Sequence, residues 1–314
     1  KKKYSLTRRL GGMKTAFLDD KGVEKKIGGA LALTVGDFNN HSFTQIDENV
    51  VLESAGGIDI LATTELPYGN EFQNLKGFDD VVNAGLNAIE FTNYGFTSSY
   101  ANASAEAEKF GIGASVNLLN FQTTANTDVA SGVRINQDAD NKTPGDVNIA
   151  ANSAIEGVHL TGNFEVPTLI GSDAKTGIGG AVGVVNYNTV TQSTVNSDVK
   201  IKGHDVVVDA ETSLLNVALG VSLNKGSDNA VSGVFGVVND LSKTTANIAD
   251  GVDIEAAGDV QVDARDEFVN RHILGSVAVG SGAGVGATVG VTVANRDTRA
   301  LVGPVITAIG AESG

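Results

Sequence analysis

The chain has 314 residues, enough for a continuous buried core, yet it carries 39 glycines, only 5% aromatics, no tryptophan and no cysteine, so its interior must be assembled from small aliphatic side chains in thin β layers. The missing cysteines exclude disulfides, thiolate metal sites and thiol nucleophiles. The formal net charge is -15 and Lys1, Lys2, Lys3, Arg8, Arg9, Lys14, Lys21, Lys25 and Lys26 all fall in the first 26 residues; the remaining acidic body repels phosphate backbones and anionic lipid, which argues against nucleic acid as a partner.

Residues 1–26 read as a basic, flexible or capping segment. KKKYSLTRRL is similar to the basic part of a signal peptide, but GGMKTAFLDDKG interrupts any apolar core of the required length of about 7–15 residues, and the chain reads as an internal fragment or a mature form. Residues 27–314 read as one β-solenoid with an insertion at about 66–109. Inside that insertion GFDDVVNAGLNAIEF sets Phe78, Val82, Leu86 and Ile89 at helical spacing, with Asp79 and Asp80 where a helix dipole favours acids. This predicts a short helix over 78–91, which covers an exposed face or forms a knob for a partner. Phe78, Val82, Leu86, Phe91, Tyr94 and Tyr100 are the candidate partner-binding residues.

Asp138, Asp140 and Asp146, with Asn141 between them, are the best candidates for a calcium loop, since hard oxygens in a turn suit that ion. Lys142 stands where a ligand should be and no closing Glu follows. A solvated acidic turn is the reading these residues favour, and no cofactor is expected.

From residue 180 the chain repeats itself. Gly180-Ala181-Val182-Gly183-Val184-Val185-Asn186 returns as Gly233-Val234-Phe235-Gly236-Val237-Val238-Asn239, and Asp205-Val206-Val207-Val208-Asp209-Ala210 matches Asp259-Val260-Gln261-Val262-Asp263-Ala264. A third copy opens at Gly286 with a one-residue slip before Gly290, and looser copies start at Gly29 and Gly113. The period is about 53 residues, and self-similarity at such a period signals a repeat architecture. Alternation in VKIKG and VQVDA is that of half-buried strands. The fold class is therefore all-β, a parallel β-solenoid whose unit holds four to six strands of about five residues in two coils, each coil needing its neighbours to bury its inner face.

The charge-free stretch Ile273 to Ala294 raises two competing readings. Its six glycines and alternating valines make a poor membrane helix. Gly282-Ala283-Gly284-Val285-Gly286-Ala287 satisfies a dinucleotide fingerprint, but strand-like VGVTVA follows where a helix N-terminus should receive the pyrophosphate. The repeat assigns the stretch to strands and a turn. His41, His159, His204 and His272 are scattered, without zinc-ligand spacing, and most of them read as exposed strand or turn positions. Asp209 with Glu211, and Asp263 with Arg265, Asp266 and Glu267, stand at equivalent repeat positions and are the one constellation suited to a polysaccharide lyase or glycosidase. Without tryptophan and with few tyrosines to stack sugars, the chain is read as no enzyme.

The unit GGAVGVVNYNTVTQSTVNSDVKIKGHDVVVDAETS, followed by LLNVALGVSL, resembles the tandem units of filamentous-haemagglutinin-like adhesins and of fusobacterial leukotoxin-type passengers, which are very large bacterial type V-secreted surface proteins. The resemblance implies a right-handed parallel β-helix, export to the cell surface, and a role in adhesion or cytotoxicity as a surface stalk or adhesin, its partners being host or neighbouring-cell surface proteins or glycans. Surfaces expected to bind are the insertion and the Asn/Thr-rich turns near Tyr187 to Thr194. The alternative is self-association of coil edges into an extracellular sheath or filament.

Overall fold

The computed structural model describes residues 13–14, 27–66, 97–100, 109–138, 144–163, 175–304 and 306–309. In chain order the strands are β1 (Met13–Lys14), β2 (Ile27–Ile46), β3 (Val51–Leu52), β4 (Ile58–Leu66), β5 (Thr97–Tyr100), β6 (Phe110–Val129), β7 (Arg134–Ile135), β8 (Val147–Asn163), β9 (Thr176–Val195), β10 (Lys200–Gly203), β11 (Val206–Lys225), β12 (Asn229–Ile248), β13 (Asp253–Ala256), β14 (Val260–Val279), β15 (Ala283–Val302) and β16 (Ile306–Ile309). Among the described residues there is no helix, and the helix expected over 78–91 lies outside them.

Three parallel sheets stack like a solenoid. Sheet A runs β2-β6-β9-β12-β15, with β1 antiparallel on its first edge; sheet B runs β3-β7-β10-β13-β16; sheet C runs β4-β8-β11-β14. Each turn of chain passes once through A, B and C. β9 pairs with β12 at an offset of 53 residues (Thr176↔Asn229), and β12 with β15 at 54 (Asn229↔Ala283). The coil therefore contains two strands of up to twenty residues and one short strand, instead of two coils of five-residue strands. Strands of about five residues would have to end at glycine or asparagine, but in a parallel ladder these residues continue the strand because neighbours on both sides supply its backbone partners. Gly183, Asn186 and Gly236 all sit inside strands.

The extra residue in the third copy is also placed differently. It lies at the corner Ala257–Asp259, where three residues join sheets B and C against two (His204 and Asp205) in the preceding coil. As a result Gly233 pairs with Ala287, and all of β15 keeps one offset from β12. A one-residue difference matters because it exchanges the two faces of a strand.

The turn from A to B takes four residues in the first four coils, and its third is left-handed in each of them: Asn49 (φ 59), Gly132 (φ 74), Asp198 (φ 62) and Gly251 (φ 76). Glycine, asparagine and aspartate tolerate this conformation best, which explains the residue choice down the column. The next residue, Val50, Val133, Val199 or Val252, turns into the core.

Sheets A and C face each other along about 66 Å of strand, and the interior between them changes character along that length. Next to sheet B it is aliphatic, with Ile135, Val147, Val195, Ile201, Val208 and Ile248 fully buried. A row of hydroxyls follows: Thr191 donates to Ser153 at 2.8 Å, Thr212 to Thr191 at 2.7 Å, and Thr212 meets Thr244 at 2.8 Å. Beyond it Phe38, Phe121 and Tyr187 stack at centroid spacings of 4.6 and 5.1 Å. In the half farthest from sheet B the inward positions of sheet A become small, and Gly183, Gly236 and Gly290 form one register column opposite His272. Here the apolar side chains of sheet A, including Leu33, Ile112, Ile178, Val231, Phe235 and Val289, point outward and are exposed. Halfway along each strand the pattern thus switches from apolar inside to apolar outside.

Candidate functional surface

The repeat-equivalent charges meet on the outer face of sheet C, close to sheet B. Asp209 pairs with Asp263 and Glu211 with Arg265 on neighbouring strands β11 and β14, at positions opposite in parity to buried Val208, Ala210 and Thr212. Arg265 Nη2 lies 2.5 Å from Asp263 Oδ2. That hydrogen bond chiefly holds the Asp263 carboxyl below its ordinary value, whereas partial burial raises Asp209, with Arg265 opposing the rise and Glu211 and Asp263 adding to it. Two equivalent carboxyls driven in opposite directions are what an acid–base pair needs. They stand on an outward strand face beside Glu211 and Arg265, both exposed. Asp266 does not join them: it faces inward onto Arg296, so the six-residue cluster read from the repeat divides between two faces.

At the corner between sheets B and C, Asp146, Asp205 and Asp259 form a column. The Asp205 backbone N–H donates to Asp146 Oδ1 at 3.2 Å, and that of Asp259 to Asp205 Oδ1 at 2.8 Å. His204 Nδ1 lies 3.5 Å from Asp146 and 3.3 Å from Asp205. These three side chains are the one set among the described residues whose ligand atoms lie within 4.8 Å of one another. Two aspartates and an imidazole fall well short of the six to eight oxygens that calcium takes, and their oxygens already cap corner amides. Of the predicted calcium trio, Asp146 belongs to this corner, the Asp138 backbone N–H donates to Glu53 at 3.0 Å, and Asp140 lies outside the described residues.

The expected turn near Tyr187 to Thr194 is a correction: these residues run through the middle of β9. Tyr187, Thr189, Thr191 and Ser193 are buried, and Asn188, Val190, Gln192 and Thr194 carry the outer face. The same half of sheet A presents Asn120, Asn186 and Asn239 in one column, with Asn120 donating to Asp37 at 2.8 Å. His159 is a second correction, being buried at 2% exposure inside the coil.

Of the predicted partner-binding residues, Phe78, Val82, Leu86, Phe91 and Tyr94 lie outside the described residues, and Tyr100 ends β5 opposite Gly162. The chain leaves sheet C at Leu66, opposite Ile155, and re-enters at Thr97, opposite His159. Leu66 and Thr97 thus meet β8 only four register positions apart. Beside these positions an apolar cluster of Val158, Leu160, Val217 and Leu219 is buried although it sits on the outer side. The sequence signal for it was apolar residues at both parities in LLNVALGVSL.

No helix among the described residues is long and apolar enough to cross a membrane. The stretch Ile273 to Ala294 forms the end of β14, a turn and the start of β15, so a strand follows the glycine fingerprint. No protein-family model, curated protein or solved structure matches the chain.

Proposed function

We propose that the chain is a non-enzymatic stalk or adhesin module of a large bacterial surface or secreted protein, a right-handed β-helix of about 53-residue coils that acts outside the cell and attaches it to proteins or glycans of a neighbouring surface. The observation that carries this reading is the in-register stacking of one coil type, which aligns the outward side chains in columns up the stack. Columns such as Asn120, Asn186 and Asn239 make a flat ladder of amides, and ladders of donors and acceptors suit polar, extended partners. Repeat stacking also lengthens the module without new interactions, as a stalk requires. The resemblance of the unit to filamentous-haemagglutinin-like and leukotoxin-type proteins points the same way, including to virulence.

The test is binding of beads coated with the purified chain to cultured cells and to a glycan array. Saturable binding, reduced by deletion of residues 70–105 or by substitution of Asn188 and Gln192 with alanine, is the expected result. Beads that bind no better than uncoated ones across the panel overturn the proposal.

One observation favours a second reading, a self-assembling subunit of an extracellular sheath or filament. Each described coil pairs with the next along up to twenty residues of parallel ladder in one register, and the same pairing between copies would lengthen the stack. Ordered polymers of the purified chain under the electron microscope support this reading; thin rods of single-chain mass exclude it.

A further inference from the structure

The outer face of sheet A, in the half away from sheet B, is an uncharged relief of ridges and one groove. The groove is the register column Ala114, Gly180, Gly233 and Ala287, closed at its β2 end by Leu31. On one side stands a ridge of Ile112, Ile178, Val231 and Val285, exposed by 42%, 36%, 45% and 58%. On the other stand Leu33, Val116, Val182, Phe235 and Val289, with Phe235 exposed by 42%, and beyond them a fourth, apolar column of Val35, Leu118, Val184, Val237 and Val291.

The two glycines in the groove have no reason inside the chain. Neither has a left-handed backbone; a Cβ on Gly180 would meet only Gly233 O at 3.6 Å, and one on Gly233 only Ala287 O at 4.0 Å. Glycine in a strand costs stability and packs nothing, so an open glycine column between apolar ridges is explained by something that enters it from outside.

We infer that this face pairs with the same face of a second copy of the chain. Ridge and groove are adjacent columns, so a two-fold axis running along the stack between them sets the Phe235 ridge of each copy in the Gly180–Gly233 groove of the other. This is an isologous contact in the aligned geometry of packed sheets. Four columns on five strands cover about 27 by 24 Å, and two such faces bury on the order of 1,200 Å², which reaches the size of a specific interface. A membrane fits less well. The column bordering the patch is Asp37, Asn120, Asn186 and Asn239, without the basic and tryptophan rim of surface-bound proteins, and the chain carries a net charge of -15. The inference does not rest on the adhesive reading.

The experiment is sedimentation velocity of the whole chain over a hundredfold range of concentration at low and high salt. A closed dimer that strengthens with salt is expected, because salt screens the charge of the two bodies and leaves the apolar contact. Phe235→Lys places a charge on the ridge and should return the chain to monomer; Gly180→Val with Gly233→Val fills the groove without an internal clash and should weaken the dimer at least tenfold. Circular dichroism melts matching the parent show that both variants fold. A chain that stays monomeric throughout, a dimer indifferent to both variants, or open-ended polymers that survive Phe235→Lys each overturn the inference. So does a monomer that floats with neutral phosphatidylcholine vesicles and loses this with Phe235→Lys. Loss of the dimer with retained cell binding leaves the proposed function standing.

Discussion

His159 on sheet C and Tyr187 on sheet A join across the interior, Nε2 to hydroxyl at 2.7 Å. The Tyr187 O–H donates onward to Asn216 Oδ1 at 2.8 Å, while the Asn216 amide donates to Asn270 at 2.7 Å and Asn270 to Thr292 at 2.9 Å. Because the tyrosine proton is committed to Asn216, His159 must donate from Nε2, which fixes its tautomer. One polar chain thus links sheets A and C, beside the hydroxyl row that also joins them.

Burial pushes the His159 imidazole down from 6.5 to about 3. Between those values the unfolded chain takes up a proton that the folded chain refuses, so the stability is full above the unfolded value and falls as the pH drops toward the folded one. The slope from this group is about 1.4 kcal/mol per pH unit. His159→Gln removes it. Thermal melts at pH 7 and pH 4.5 should show a smaller acid loss for the variant than for the parent, and equal losses would contradict the assignment.

Tyr187→Phe keeps the ring stack with Phe121 but takes one hydrogen bond from His159 and one from Asn216, both buried. A loss of about 1–3 kcal/mol in urea unfolding is expected. Adding Asn216→Leu to that background should cost less than it does alone, since the amide oxygen it removes has already lost its donor. Additive losses would show that the two residues act separately.

Glycines separate by what surrounds them. A Cβ on Gly226, in the turn from sheet C to sheet A, would lie 1.9 Å from Asn229 O and 2.8 Å from Gly177 N, both backbone atoms. On Gly275, within β14, it would meet nothing within 4 Å. Gly226→Ala should therefore lower the melting temperature sharply, while Gly275→Ala should leave it unchanged or raise it slightly, alanine being favoured over glycine in a strand by roughly 0.5–1 kcal/mol.

Alternation in Val206–Ala210 and Val260–Ala264 made the parallel β class legible in the sequence, and these segments do pair as aligned. Strand length was not legible. Glycine and asparagine are ordinary strand terminators, and nothing local shows that Gly183 or Asn186 has a ladder partner on both sides. The register slip was misplaced because glycines were aligned with glycines, whereas Gly233 lies beside Ala287. Buried His159 and Arg296 were hidden for a related reason: inward or outward parity is set by the strand's register, and a polar residue at an inward position looks like any surface residue until its partners Tyr187 and Asp240 are known. The charge cluster was half legible, since equivalence put Asp209 and Asp263 together but could not tell that Asp266 faces the other way.

Arg296 lies between two buried carboxylates and over the Phe268 ring, 5.1 Å from its centroid. Its Nη1 is 2.5 Å from Asp240 and its Nε 3.0 Å from Asp266, and the side-chain exposures of Arg296 and Asp240 are 16% and 0%. Burial raises the Asp240 carboxyl above its ordinary value, and Arg296 opposes that rise. Arg296→Met keeps the aliphatic packing and removes the charge, stranding both acids at neutral pH, and should cost on the order of 3 kcal/mol. A raised folded-state value means that the group costs stability while ionised and that this cost is relieved as the pH falls through it. The deficit of the variant at pH 7 should therefore shrink toward pH 4.5, and Asp240→Asn added to Arg296→Met should recover part of it at pH 7. Denaturant unfolding of the parent and both variants at the two pH values decides the matter: a deficit that does not change with pH would mean that Arg296 acts through packing against Phe268 and not through charge.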